Sequence, residues 1–303
     1  MTINIAWVRK LRDCEELWIV SDSRLSGLGT WDECTKIIVL PGNRSFISFA
    51  GSTNIAYPIL NQIQSTVTSH RKAVLGYMDI IDQKGHILNV INSTIKNITY
   101  PTTMDIKGDL IATEFILGGY SWIKKKFVMW KIAYVKGEDA FRAHKAKAIK
   151  KFAECIVAGD VTKEFVKDLN FFLKEKYPDT SSRKNIGFNM EPFEVVRDAL
   201  IREKNNKYSS IGGPPQLVKI YQHANAAPIG VFWSNQEDTL KDVSKIKVNG
   251  SPTISGRYLQ PYENTDCIYL DPSTLVAKRI SSNNFWNDIS WNKKENENID
   301  YFI

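Results

Sequence analysis

Thr2-Ile3-Asn4-Ile5-Ala6-Trp7-Val8-Arg9-Lys10 opens the chain, and Leu17-Trp18-Ile19-Val20-Ser21-Asp22-Ser23-Arg24 follows after a charged stretch. Ile3, Ile5 and Trp7 alternate with polar or small neighbours, the period of a strand with one buried face. Leu17 to Val20 is a second apolar run, so the segments read as paired strands with Arg9 to Glu16 as the turn between them. Past Asp22 a loop rich in Gly and Ser leads to a third strand at Lys36-Ile37-Ile38-Val39-Leu40. A turn at Pro41-Gly42-Asn43 and a fourth strand from Ser45 to Ala50 complete the opening.

From Asn54 the period changes. Ile55, Ile59, Ile63 and Val67 recur at helical spacing, with Pro58 expected in the first turn, the place where a helix tolerates proline. A second helix is expected from Tyr77 onward, on the stripe Ile80, Ile81, Ile87, Leu88, Ile91, Ile95 and Ile98. Strands return at Leu110 to Gly118 and Lys126 to Tyr134. Phe165, Leu169, Phe172 and Leu173 mark a third helix, and Pro192 to Lys204 a fourth. Leu217 to Tyr221 and Ile229 to Trp233 resume the β pattern. Such an order predicts an α+β fold in which two sheets face each other with helices outside. Beyond Ser234 only short β-like pieces occur, Ile246-Lys247-Val248 and Cys267-Ile268-Tyr269-Leu270. The chain therefore divides into a domain over 1–234 and a C-terminal extension over 235–303, whose polar tail carries Phe285, Trp286 and Trp291.

The 303 residues are 43% hydrophobic and 24% charged, which excludes disordered and collagen-like chains. A net charge of +7 is spread along the sequence, with local clusters at Lys124-Lys125-Lys126 and from His144 to Lys151. The neighbouring aromatics Phe127 and Trp130 lie in a strand pattern, so nucleic acid is not the expected partner, while contact with an acidic partner stays open. No apolar run reaches the ~18 residues of a membrane span, and the first residues lack the order of a signal peptide. A cytoplasmic protein without membrane contact is expected. Cys14, Cys34, Cys155 and Cys267 are scattered, with no metal-ligand spacing, and read as reduced structural thiols; no metal or organic cofactor is called for.

Three features carry chemistry. A small residue behind the initiator methionine permits aminopeptidase to expose Thr2, which then holds a hydroxyl and an α-amine on one carbon frame, a nucleophile with its own base. Asp22 after the second strand and Lys36 opening the third suit a carboxylate that anchors a lysine beside that hydroxyl. Gly51, in Phe49-Ala50-Gly51-Ser52-Thr53, lets the backbone approach a substrate and offers an N–H to a developing oxyanion.

Taken together, a Thr-Ile-x-Ile strand, Asp-Ser-Arg after the second strand, Lys opening the third and Ala-Gly before the first helix resemble the opening of proteasome β subunits. The peptidase of the bacterial ATP-dependent two-component protease is similar. Leu117-Gly118-Gly119-Tyr120, Val157-Ala158-Gly159 and Ile211-Gly212-Gly213 extend the likeness, which runs from Thr2 to Trp233. The resemblance implies a four-layer αββα sandwich of the N-terminal-nucleophile (Ntn) hydrolase type, followed by the extension. It also implies an amide-bond hydrolase acting on peptides or proteins, a threonine peptidase. Thr2 would be its nucleophile after Met1 removal, Lys36 and Asp22 its activators, the Gly51 N–H the oxyanion donor and Arg24 a structural partner. A homo-oligomer with an unfoldase or regulatory partner is the setting implied. Family members carry a serine in the turn before the third helix, and an Asp and a Ser before the late Gly-Gly. Here those stretches read Val157-Ala158-Gly159-Asp160 and Tyr208-Ser209-Ser210-Ile211, leaving Asp160, Ser209 or Ser210 as substitutes. A catalytically inert scaffold or assembly subunit of the same fold is the alternative.

Overall fold

A computed structural model describes residues 2–26, 29–42, 44–99, 105–148, 154–178, 187–206, 208–222, 225–234, 250–260, 263, 265 and 267–280. The opening strands are β1 (Asn4–Lys10), β2 (Glu15–Ser21), β3 (Leu25–Ser26), β4 (Thr30–Trp31), β5 (Ile37–Val39) and β6 (Ser45–Ala50). Helices α1 (Thr53–Ser69), α2 (Arg71–Val74), α3 (Ile80–Ile95) and α4 (Ile106–Ala112) follow. The middle strands are β7 (Glu114–Ser121), β8 (Lys126–Val135), β9 (Ala140–Lys145), β10 (Lys147–Ala148) and β11 (Glu154–Ala158). After α5 (Thr162–Lys176) and α6 (Glu191–Glu203) come β12 (Gln216–Tyr221), β13 (Ala226–Trp233), β14 (Ser251–Ile254), β15 (Arg257–Tyr258), β16 (Cys267–Leu270) and β17 (Ala277–Ile280). The fold is mixed α+β with mostly antiparallel sheets. No described helix is long and apolar enough to cross a membrane.

One sheet runs β10-β11-β1-β2-β12-β13-β14-β15, with β16 joining β13 in parallel and β17 joining β16. A second sheet runs β5-β6-β7-β8-β9. Side-chain alternation along these strands sorts the interior into separate clusters. Ile3, Ile5, Trp7, Trp18 and Val20 of the first sheet pack against Phe165, Leu169 and Leu173 of α5 and Phe193 and Val196 of α6. On the second sheet, Ile47, Phe49, Phe115 and Leu117 pack against Ile55, Ile59 and Ile63 of α1 and Ile87 and Ile91 of α3. The intervening positions of both sheets, Ala6, Leu17 and Ile19 from one and Ile37, Phe46, Ala50 and Ile116 from the other, form a cluster of their own.

Several local expectations are corrected. Arg9 to Glu16 is not all turn: β1 and β2 run on into it, with Arg9 opposite Glu16 and Lys10 opposite Glu15, because charge pairing across strands supports residues that the apolar pattern alone would leave out. Pro58 is the sixth residue of α1, past the first turn. The bond that its ring forfeits falls to the carbonyl of Asn54, an exposed residue. Leu110 belongs to α4, whose start is fixed by the Asp105 side chain accepting the Gly108 N–H at 2.9 Å, and the strand begins only at Glu114. The loop after Asp22 contains the short hairpin β3–β4, and α3 stops at Ile95, before Ile98. The expected strand at 246–248 and the tail at 281–303 lie outside the described residues, whereas Cys267 to Leu270 is a strand.

Of the charged residues where β1 ends and β2 begins, Lys10 is exposed and Glu15 half-buried, but Arg9 and Glu16 are buried. The Glu16 carboxylate, 3% exposed, accepts from Lys219 Nζ at 3.0 Å and from Trp18 Nε1 at 2.9 Å, and Arg9 Nη1 lies 3.6 Å away. The Lys219 ammonium also lies 4.0 Å from the Tyr221 ring centroid. Glu16→Leu, leaving two cations without their carboxylate, should lower the unfolding free energy in urea by about 3–5 kcal/mol. Adding Lys219→Met should recover much of that loss; a double variant no better than the single one would show that the cost is not one of stranded charge.

Candidate active site

The site forms where four strand ends meet. Thr2 precedes β1, Asp22 follows β2, Lys36 precedes β5 and Gly51 follows β6. Thr2 is 2% exposed, and Asp22 and Lys36 are fully buried. Lys36 Nζ donates to Thr2 Oγ1 at 2.8 Å and to Asp22 Oδ1 at 2.9 Å. The carboxylate is held in turn by three backbone N–H groups: Ile3 at 3.1 Å on Oδ1, Arg24 at 3.2 Å and Gly212 at 3.3 Å on Oδ2. Such bonds to an ionised group are the strong kind, and they bind the first residues of β1 to the loop before β12. Burial holds the Lys36 pKa below its ordinary 10.5, while the charge and hydrogen bond of Asp22 pull it upward. A lysine under this tension is an electropositive donor with little freedom, aimed at one hydroxyl.

Thr2, Asp22 and Lys36 are thus in direct contact. Gly51 lies at the end of the neighbouring strand, not inside that hydrogen-bonded group. Asn4 Nδ2, on β1, donates to the Phe49 carbonyl on β6 and draws the two segments together. Gly51 has φ of +102°, and a Cβ there would fall 1.9 Å from the Ala112 carbonyl oxygen, so no other residue fits between β6 and the end of α4. Arg24 is a structural partner. Its guanidinium grips Asp32 through two bonds of 2.6 and 2.8 Å, which raises its pKa, and Nη1 reaches the carbonyls of Asn206 and Ser209.

Two residues essential to this geometry escaped the sequence reading. Gln216, 1% exposed, ties four backbone groups with one amide. Its oxygen accepts from the N–H of Lys36 at 2.8 Å and of Ile37 at 3.3 Å, and its nitrogen donates to the carbonyls of Cys34 at 2.7 Å and Asp22 at 3.0 Å. Its one visible signal was a polar residue opening a mostly apolar strand. Glu114 accepts the Gly159 N–H at 3.1 Å and pairs with Lys131 at 2.8 Å. Gly159, at φ +113°, presses so closely on Thr2 that a Cβ would stand 1.8 Å from the Thr2 carbonyl oxygen. Of the expected substitutes, Ser209 is engaged locally, its hydroxyl accepting the Ile211 N–H at 3.4 Å, and Asp160 is exposed in the turn before α5.

Cys14, Cys34, Cys155 and Cys267 form no disulfide with one another. Cys34 is buried beside Lys36 and burial pushes its pKa up, as it pushes Cys155 up to about 12, so neither is a reactive thiolate. Phe127 and Trp130 are 6% and 5% exposed, leaving no stacking surface there for bases. Among the described residues no three His, Cys, Asp or Glu side chains converge as a metal site. No protein-family model matches the chain, and no curated protein matches it in sequence.

Between the lowered pKa of Lys36 and 10.5 the unfolded chain carries a proton that the native site has released, so this residue's contribution to stability rises with pH across that window. Denaturant titrations of wild type and Lys36→Met should therefore diverge in favour of wild type as pH climbs toward 10.5. A constant difference would contradict a depressed lysine. Gln216→Ala strands several buried backbone groups and should cost roughly 3 kcal/mol or more in the same measurement.

Proposed function

We propose that the chain is an amide-bond hydrolase of the proteasome-type Ntn class, built as a four-layer αββα sandwich, with Thr2 as nucleophile once the peptide bond before it has been cut. The observation that carries this reading is the buried Lys36 ammonium, 2.8 Å from the Thr2 hydroxyl and 2.9 Å from Asp22. A lysine buried at such cost beside a hydroxyl has a chemical use, stabilising that oxygen as it loses its proton. The alternation of clusters, helices on one sheet, sheet on sheet, and helices on the other, supports the layered architecture.

In the mechanism the Thr2 α-amine, with an ordinary pKa of about 7.7–8.0, takes the proton from Oγ1 as that oxygen bonds to the substrate carbonyl carbon. Lys36 stabilises the negative charge on Oγ1 as it develops, and Asp22 keeps Lys36 charged and in place. The carbonyl oxygen becomes an oxyanion, for which the Gly51 N–H is the proposed donor. The C–N bond then breaks, the leaving nitrogen takes the proton from the α-ammonium, and an ester on Thr2 remains. Water attacks that ester, giving its proton to the amine, and Oγ1 regains a proton as the acid product departs. Peptides or proteins are the proposed substrates, and a homo-oligomer with an unfoldase or regulatory partner the proposed setting.

An inert scaffold is the second reading, and one observation favours it. Ala158, opposite Asn4 in β1, offers no hydroxyl to orient an amine at Thr2, and the Ser209 hydroxyl oxygen accepts the Ile211 N–H at 3.4 Å. Intact mass decides between them. Protein produced with Thr2 as its first residue should take up one epoxyketone, a reagent that needs both the threonine hydroxyl and a free amine, and Thr2→Ala should take up none. Lys36→Met should react slower by on the order of 10²-fold. Folded wild type that forms no adduct would give the scaffold reading the lead.

A further inference from the structure

Of the nine large hydrophobic side chains exposed among the described residues, five gather at one place: Val74 (42%), Leu75 (52%), Tyr77 (74%), Trp122 (36%) and Ile123 (63%). They come from two tips, the end of α2 with its connection to α3 and the turn between β7 and β8. Asp79, the N-cap of α3, joins these tips. Its carboxylate accepts from the Ile81 N–H, from Ser121 Oγ and from the Ile123 N–H. Arg44 fills the space between, its guanidinium 5.9 Å from the Trp122 ring centroid and close against Gly76.

The rim is basic. Arg44, Arg71, Lys72, Lys124, Lys125 and Lys126 are all exposed, whereas Asp79 is 2% exposed and its carboxylate is occupied. Asp82 is the exposed acid in the first turn of α3. We propose that this surface rests on an anionic lipid bilayer, Trp122, Ile123, Leu75 and Tyr77 entering the headgroup region and the rim cations meeting lipid phosphates and carboxylates. Charge complementarity selects that occupant. A second copy seated on the same patch would set six cations against six. Lysine is depleted in protein–protein interfaces, whereas Trp and Tyr flanked by Lys and Arg are the composition of a membrane interface. The contact is peripheral, and it does not depend on the chemistry at Thr2.

Co-sedimentation with phosphatidylcholine vesicles, plain or containing about one third phosphatidylserine, tests this. Wild type should pellet with the anionic vesicles only, and release as salt rises past the range in which exposed charges are screened. Lys124→Glu/Lys125→Glu should weaken binding on the order of tenfold or more. Trp122→Ala/Ile123→Ala, which keeps every charge, should also weaken it severalfold. The control Lys163→Glu/Lys167→Glu, on exposed positions of α5, should change it much less. Binding that falls equally in the control would reduce the effect to net charge and overturn the assignment. So would wild type that stays in the supernatant, or a self-association lost in the Trp122/Ile123 variant without any vesicle binding.

Discussion

A positive charge taken wholly out of water organises this structure. The Lys36 ammonium has no solvent to fall back on, so its two hydrogen-bond partners, Thr2 and Asp22, are conditions of its being there. Asp22 in turn is satisfied by Ile3 just before β1, by its own loop and by Gly212 near β12. Gln216 then fixes the backbone on either side of Lys36. Each of these groups is polar and buried, and each is paired, which is the state in which an interior network specifies one arrangement rather than several.

Where side chains repeat, the sequence could be read. Ile3, Ile5 and Trp7, or Ile55, Ile59 and Ile63, announce their element because burial on one face imposes a period. The contact of Thr2, Asp22 and Lys36 was legible for another reason, as three residues, each ordinary alone, whose joint order at three strand ends resembles a known pattern. Gln216 and Glu114 were not legible, because an amide or carboxylate in a strand looks the same whether it faces water or clamps four backbone groups. The same holds for Glu16 and Lys219, which a linear reading assigns to solvent. Only the pairing of β2 with β12 brings them together and removes the water. Helix α4 was missed because seven residues, about two turns, carry almost no periodic signal.

The extension is not a loose appendage where it is described. Strands β14 and β16 both pair with β13, so they cover what would otherwise be open hydrogen-bonding edges of the first sheet. The turn between β14 and β15 goes further inward. Gly256, at φ +80°, lies so near Ser23 and Gln216 that a Cβ would meet them at 2.6 and 2.9 Å. Late sequence thereby presses on the amide that holds Lys36, and the region around Thr2 is enclosed by parts of the chain from both ends.

That enclosure makes the site depend on sequence far from Thr2. Gln216 reaches Lys36 across 180 positions, and Gly212 reaches Asp22 across 190. Contacts so distant in sequence carry a large loop-closure cost and need most of the chain to be present. A nascent chain still short of β12 on the ribosome therefore has its threonine and its lysine but lacks the clamp that fixes them. The surroundings of Thr2 and Lys36, on this architecture, are a property of the finished chain, and the growing polypeptide does not yet possess them.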